Sequence, residues 1–230
     1  MISLRKIGAI CAKQLKVMAY NLFILVGFLA APIMAFFMRG DGPDGFVLSF
    51  LILINVLFAG ANTMCVLIAE EKEKHTLNVL ITSTVSGFDF LISNLIITVG
   101  ITVAINGIIF FILGFQGVLP FVPFLLLTGV GVMPAALIGA IIGIVTKNQM
   151  TATTAIVPVM VLLIYIPAFM QGSFFVENII YYGFAEQMVS GLTSVYLGES
   201  IAVNLGVIAL NLFVLMVVFG LCYRKKGLVN

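Results

Sequence analysis

The sequence predicts an all-helical integral membrane protein of six spans, and three observations carry that expectation. Hydrophobic residues make up 62% of the 230 and charged residues only 9%. A soluble domain carries about 25% charged residues, so lipid must be the solvent for much of this surface. The uncharged runs have the length of a bilayer crossing, about 20 residues, or a multiple of it. Six crossings also put almost all the basic residues on one side.

The elements follow from the charges in order. Residues 1–19 read as an amphipathic helix lying in the membrane interface and not as a cleavable signal peptide, since no small-residue cleavage site is evident. Leu4, Ile7, Cys11, Leu15 and Met18 share one face of its wheel, and Arg5, Lys6, Lys13 and Lys16 share the other. Its role is either to seat the basic face on anionic headgroups or simply to anchor the topology. Residues 20–230 form one transmembrane domain, with spans near 20–38, 46–69, 91–114, 121–146, 150–170 and 201–223. The break inside the long run from Phe90 to Thr146 falls at Gly114–Pro120, where the residues have turn chemistry. Strands are not expected, because the runs are continuously apolar and do not alternate.

Arg5, Lys6, Lys13, Lys16, Lys72, Lys74, Lys147, Arg224, Lys225 and Lys226 then lie on one side, and only Arg39 lies on the other. The positive-inside rule makes the basic side cytoplasmic and puts both termini there. The opposite side carries Asp41, Asp44, Glu177, Glu186 and Glu199.

Several chemistries find no support. His75 is the only histidine, and the three cysteines, Cys11, Cys65 and Cys222, have no metal-ligand spacing, so they read as small packing residues. No GxxxxGK[ST] phosphate loop occurs, so the chain has no recognisable ATP site and is not expected to be an enzyme by itself. A net charge of +2 gives no reason to expect nucleic acid. The predicted spans hold no Asp, Glu, Lys, Arg or His, which argues against ion coupling. They do hold polar rows: Asn55 and Asn62; Asn94, Thr98, Thr102 and Asn106; Asn204 and Asn211. Interhelical hydrogen bonds are the commoner use of such groups, substrate contact the rarer. Ala135, Gly139 and Gly143 form a ridge of small residues suited to close helix packing.

The most informative segment runs from Glu70 to Phe90 and reads EEKEKHTLNVLITSTVSGFDF. Five of the chain's 20 charged residues stand together at its start. A helix running on from the second span would pair Glu70 with Lys74 and Glu71 with His75. Leu77, Leu80 and Ile81 then give a short amphipathic helix. Such a helix on a charged stalk suits docking into a groove of a cytosolic partner, and a solvated loop that only sets topology is the plainer reading.

The stretch EEKEKHTLNVLITSTVS, Glu70 to Ser86, resembles the signature of permease subunits of type-2 ABC transporters. In that family the second span ends in a Glu-rich stalk, followed by Gly-Thr-Leu-Glu-x-Leu-Leu and then Ser/Thr-Pro-Val-Ser. Glu71, Glu73, Thr76, Leu77, Leu80, Ser83, Val85 and Ser86 fit, with Ile81 in place of Leu; His75, Asn78 and Thr84 depart from it. TKNQMTAT, Thr146 to Thr153, is similar to the family's inner loop after the fourth span.

The resemblance implies a multi-pass protein of the cell membrane that pairs with a second permease, a copy or a relative. Each permease docks a cytosolic ATPase, with ATP and Mg on that partner and no cofactor on this chain. The coupling helix would use Glu71, Lys74, His75, Thr76, Leu77, Leu80 and Ile81. The path between the two permeases would draw on Asn55, Phe58, Asn62, Met160 and Tyr165. The aromatic segment between spans five and six, with Phe174, Phe175, Tyr181 and Tyr182, would form an outer lid of re-entrant helices; an interfacial aromatic belt is the alternative. The apolar spans suit export of a hydrophobic or amphipathic substrate: a peptide or toxin first, then a lipid-like molecule or a drug. A secondary carrier, or a non-transporting immunity or scaffold subunit, stays open beside this reading.

Overall fold

A computed structural model describes residues 4–40, 44–74, 87–115, 117–169 and 180–226. Among them every regular element is helical. They are α1 (Leu4–Tyr20), α2 (Leu22–Met38), α3 (Gly45–Asn55), a π-helical segment (Val56–Asn62), α4 (Thr63–Glu73), α5 (Gly87–Ile112), α6 (Val118–Val145), α7 (Gln149–Phe169), α8 (Phe184–Leu197) and α9 (Ala202–Lys226). The helix boundaries fall within a few residues of the spans read from the charge pattern.

Four helices among the described residues are long and apolar enough to cross a membrane: Gly45–Glu73, Phe90–Ile112, Pro120–Val145 and Ala202–Tyr223. The first joins α3, the π segment and α4 into one rod of 29 residues, and almost all of it is buried. The pair α1–α2 passes the same test together but is bent by 79°; counted as one span, it would be a fifth crossing. Asn21 makes that corner: its Oδ1 accepts from the backbone N–H of Phe23 at 3.1 Å and Ile24 at 3.3 Å, capping α2.

The long helices alternate in direction between two ends. At the basic end α1 meets the start of α2, and Phe90, Ile144, Phe219 and Ile10 share one apolar cluster. At the acidic end Asp44 caps α3, and Phe115 meets Tyr196 edge-on at 5.9 Å. The expected break in the long run is present: Gly114 and Gly117 take φ of +83° and +103°, which glycine adopts at little cost. Phe110, Phe115, Phe121 and Phe124 pack around that turn with ring centroids 4.7–6.2 Å apart.

The rod sits at the centre because α6 lets it in. A Cβ added at Gly139 would lie 1.9 Å from the Ala61 carbonyl oxygen, and one at Gly143 would lie 2.7 Å from that of Cys65. The small-residue ridge therefore brings two backbones into contact, as its spacing predicts. Gly27 of α2 approaches from another side, 3.2 Å from the Phe58 carbonyl oxygen by the same measure.

Helix α8 is 14 residues long, about 21 Å, too short to cross a hydrocarbon core of about 30 Å. It packs Phe184, Met188, Leu192 and Val195 into the main core. Met188 fills the notch left by Gly131 of α6, where a Cβ would come within 2.4 Å of its sulfur.

The inward face of α1 differs from the expected one. Ile10, Gln14 and Met18 are buried, while Leu15 is 48% exposed. Cys11 Sγ donates to the Ser93 carbonyl of α5 at 3.6 Å. The wheel was turned by a polar residue: Gln14 goes inside because a buried acceptor waits for it.

Candidate functional site: the charged end of the second span

That acceptor is Glu71, in the five-residue charged run. Its Oε1 accepts from Lys13 Nζ at 2.6 Å and from Gln14 Nε2 at 3.2 Å. The Glu71 side chain is 6% exposed and that of Lys13 is 47% exposed. A carboxylate withdrawn this far from water needs such donors, and hydrogen bonds to a charged group contribute about 1.5–3 kcal/mol.

Lys72 Nζ donates to the carbonyls of Ile144 at 2.6 Å and Thr146 at 2.8 Å. It thus places a cation on the C-terminus of α6, where unsatisfied carbonyls and the helix dipole favour one. Glu73 Oε2 accepts from the Gln149 backbone N–H at 2.9 Å. It places an anion on the N-terminus of α7, the opposite end of another dipole. Lys74 bonds back to Glu70 one turn away, and that bond raises the Lys74 ammonium above the ordinary lysine range.

The geometry follows from helix pitch. Successive residues of a helix point about 100° apart, so four consecutive side chains sweep the whole circumference. A central rod that projects past its neighbours' ends meets a different helix in each direction. Glu71 finds α1, Lys72 finds α6 and Glu73 finds α7. The α6–α7 turn is closed from its own side as well: Asn148 Oδ1 accepts from the Thr151 N–H at 2.9 Å. The two stretches that carry the family resemblance, EEKEK and TKNQMTAT, are therefore in direct contact.

Of the coupling-helix residues expected from the sequence, Glu71 and Lys74 lie in this hub. The Glu71 carboxylate faces inward on α1, whereas the Lys74 side chain is 63% exposed. His75, Thr76, Leu77, Leu80 and Ile81 lie outside the described residues, so the expected Glu71–His75 pair does too. Sequence reasoning missed Lys13, Gln14, Lys72 and Glu73 as hub members. The available signal was the 100° step applied to a run of charges on a buried rod.

The expected path residues separate. Asn55 and Asn62 are buried inside the bundle, as is Met160. Asn55 Nδ2 donates to Asn106 Oδ1 at 2.7 Å and to the Thr102 carbonyl at 3.3 Å, an interhelical use. Phe58 is half-buried, and Tyr165 is 51% exposed on α7. Around Asn55 the polar row of α5 is only partly satisfied. Both amide atoms of Asn94, the hydroxyls of Thr98 and Thr102, Asn106 Nδ2 and Asn55 Oδ1 are buried without a hydrogen-bond partner.

Of the lid residues, Phe174 and Phe175 lie outside the described residues. The Tyr181 and Tyr182 rings meet edge-on at 5.3 Å. Gln187 Nε2 donates to the Tyr181 carbonyl at 2.6 Å and Asn211 Nδ2 donates to that of Tyr182 at 2.8 Å. Asn204 Nδ2 donates to Gln187 Oε1 at 3.0 Å. The Asn204–Asn211 spacing thus ties α9 to α8 and the segment before it. Among the described residues no group of three or more His, Cys, Asp or Glu could hold a metal ion.

No protein-family model matches the chain, and no curated protein matches it.

Proposed function

We propose that the chain is the membrane-spanning permease subunit of an ATP-driven exporter, powered by a separate ATPase that docks on the segment after Lys74. The observation that carries this reading is the hub. The residue run that resembles the family's stalk is bonded to α1, α6 and α7 immediately before the docking segment. A push on residues 75–86 is therefore delivered to three helices at once, and with them to the central rod. A chain with no ATP site can use ATP only through a partner that binds two of its conformations differently.

The six-span topology belongs to this reading. Counting the bent pair α1–α2 once, and adding α7 with its 21 residues, brings the four long helices to six. The basic end is then the cytosolic face, with both termini on it, and the protein sits in the cell membrane. Helix α7 leaves Thr154, Ala155, Pro158 and Tyr165 exposed. Val157, Val161 and Leu162 are exposed beside them, but Thr154 and Tyr165 give this face polar groups that the exposed side of α2, with Leu22, Val26, Leu29 and Ile33, lacks. It is the better candidate to meet a second permease and line a path, with Tyr165 nearest the route. The substrate class is hydrophobic or amphipathic, a peptide or toxin first, because the predicted spans offer no Asp, Glu, Lys, Arg or His to a small charged solute.

Purification of the chain from its native membranes tests the reading. A soluble ATPase should come with it, and deletion of residues 75–86 should release that ATPase while the spans stay folded. A chain that purifies alone and never stimulates a candidate ATPase contradicts the proposal.

A further inference from the structure

The corner between α1 and α2 forms a groove beside the hub, with the Glu70–Lys74 pair on their shared edge. It is an open depression of about 540 Å³ whose walls include Lys16, Tyr20, Leu22, Phe23, Glu70 and Lys74. Its chemistry is layered. Two ammonium groups and a phenol stand on the polar side. Leu22 is 75% exposed on the other side, and an exposed stripe of Val26, Leu29 and Ile33 continues from it along α2.

Lys16 is exposed and has no ion-pair partner among the described residues. Lys74 shares its charge with Glu70 Oε1, while Glu70 Oε2 is buried without a donor. The groove therefore carries one net positive charge and one unmet acceptor. Helix α1 turns away from α2 by 79°, which lays α1 along the interface and opens the corner at headgroup depth when α2 spans the bilayer.

We propose that this groove seats one anionic phospholipid with a single net negative charge, of the phosphatidylglycerol class. The phosphate lies between Lys16 and Lys74, and an acyl chain follows Leu22, Val26, Leu29 and Ile33. A monoanionic phosphate neutralises the groove, whereas a zwitterionic lipid leaves its charge in place. The inference needs only that α2 spans a membrane. It is independent of the exporter reading, so either can fail alone.

The test is native mass spectrometry of the full chain in micelles doped equally with phosphatidylglycerol and phosphatidylcholine. The wild type should retain one phosphatidylglycerol in preference. Lys16→Glu should lower that retention about fivefold or more, from the usual strength of one basic residue near an anionic surface. Lys16→Arg should keep it, and Lys147→Glu, at the same end but away from the groove, should leave it unchanged. Lys16→Gln serves if the charge reversal fails to fold.

Equal retention of the two lipids overturns the proposal, as does retention that Lys16→Glu does not change. An equal loss on Lys147→Glu would reduce it to diffuse charge. Equal retention of phosphatidylethanolamine would remove the anionic requirement. Displacement by millimolar glycerol phosphate would make the site one for a soluble phosphate instead of a lipid.

Discussion

At its basic end the central rod meets a partner for each charge in turn, whereas at its middle it meets polar groups left half-satisfied. Glu71, Lys72 and Glu73 each bind a different helix, and two of them complete helix ends that would otherwise carry unpaired backbone groups. Before the stalk, the π segment faces α5 across Asn62, Thr98 and Thr102, whose side-chain oxygens have no hydrogen-bond partner. A π-helical stretch is itself an irregular use of backbone, often placed where function needs it. The contrast separates two mechanical roles. The end is a clamp that several helices must break together. The middle is a tightly packed seam whose polar side chains are only partly paired.

The largest expected effect comes from forcing the seam's other wall. Gly139→Leu would drive a side chain into the Ala61 carbonyl and should abolish the folded state in detergent, well beyond the about 1–3 kcal/mol typical of overpacking. Gly100→Ala, with nothing within 4 Å of its Cβ, should leave the fold intact and raise the melting temperature slightly, since Ala favours a helix interior over Gly. Equal behaviour of the two variants would remove the backbone contact from the account.

Next comes the clamp. Glu71→Ala should cost about 1.5–3 kcal/mol in unfolding experiments by losing Lys13 and Gln14 together. Lys13→Ala should cost less than Glu71→Ala, because its ammonium is half in water and Gln14 still reaches Glu71. Their double variant should cost less than the sum, giving a positive coupling that non-neighbouring residues do not show.

The smallest effect belongs to the seam itself. Asn55→Leu strands the Asn106 carbonyl oxygen and should cost about 1–3 kcal/mol. Asn55→Leu with Asn106→Leu removes both groups and should cost less than either single change. Additive losses would mean that the two amides are not coupled, and would remove the Asn55–Asn106 bond from the account.

Much of the fold was legible because its signals are long. Uncharged runs gave the helices, and Gly114–Pro120 gave the break. The Ala135–Gly139–Gly143 ridge gave the closest helix contact. Of the polar rows, Asn55–Asn106 and Asn204–Gln187 take the interhelical use, whereas the side chains of Asn94, Thr98 and Thr102 have no hydrogen-bond partner. What was not legible depends on who stands opposite. The charged run gave its local pair, Glu70–Lys74, but not its long-range partners, since Lys13 and Glu71 are 58 residues apart. The buried face of α1 was misjudged for the same reason: apolar spacing favoured Leu15, and a distant carboxylate drew in Gln14. The π segment left no mark in composition, although Gly27 and Gly139 of two other helices pack against the Phe58 and Ala61 carbonyls within it.

A clamp that moves as one body while the seam repacks can be tested in one measurement. Cys11, Cys65 and Cys222 are replaced, and two cysteine pairs are introduced separately: Lys13→Cys with Glu71→Cys, and Asn55→Cys with Asn106→Cys. Each variant is reconstituted with the ATPase that the proposed function requires, and its hydrolysis rate is followed before and after a short thiol cross-linker. Locking the clamp pair should leave that rate unchanged, and locking the seam pair should abolish it. Loss of hydrolysis on locking the clamp, or its survival on locking the seam, would contradict the account.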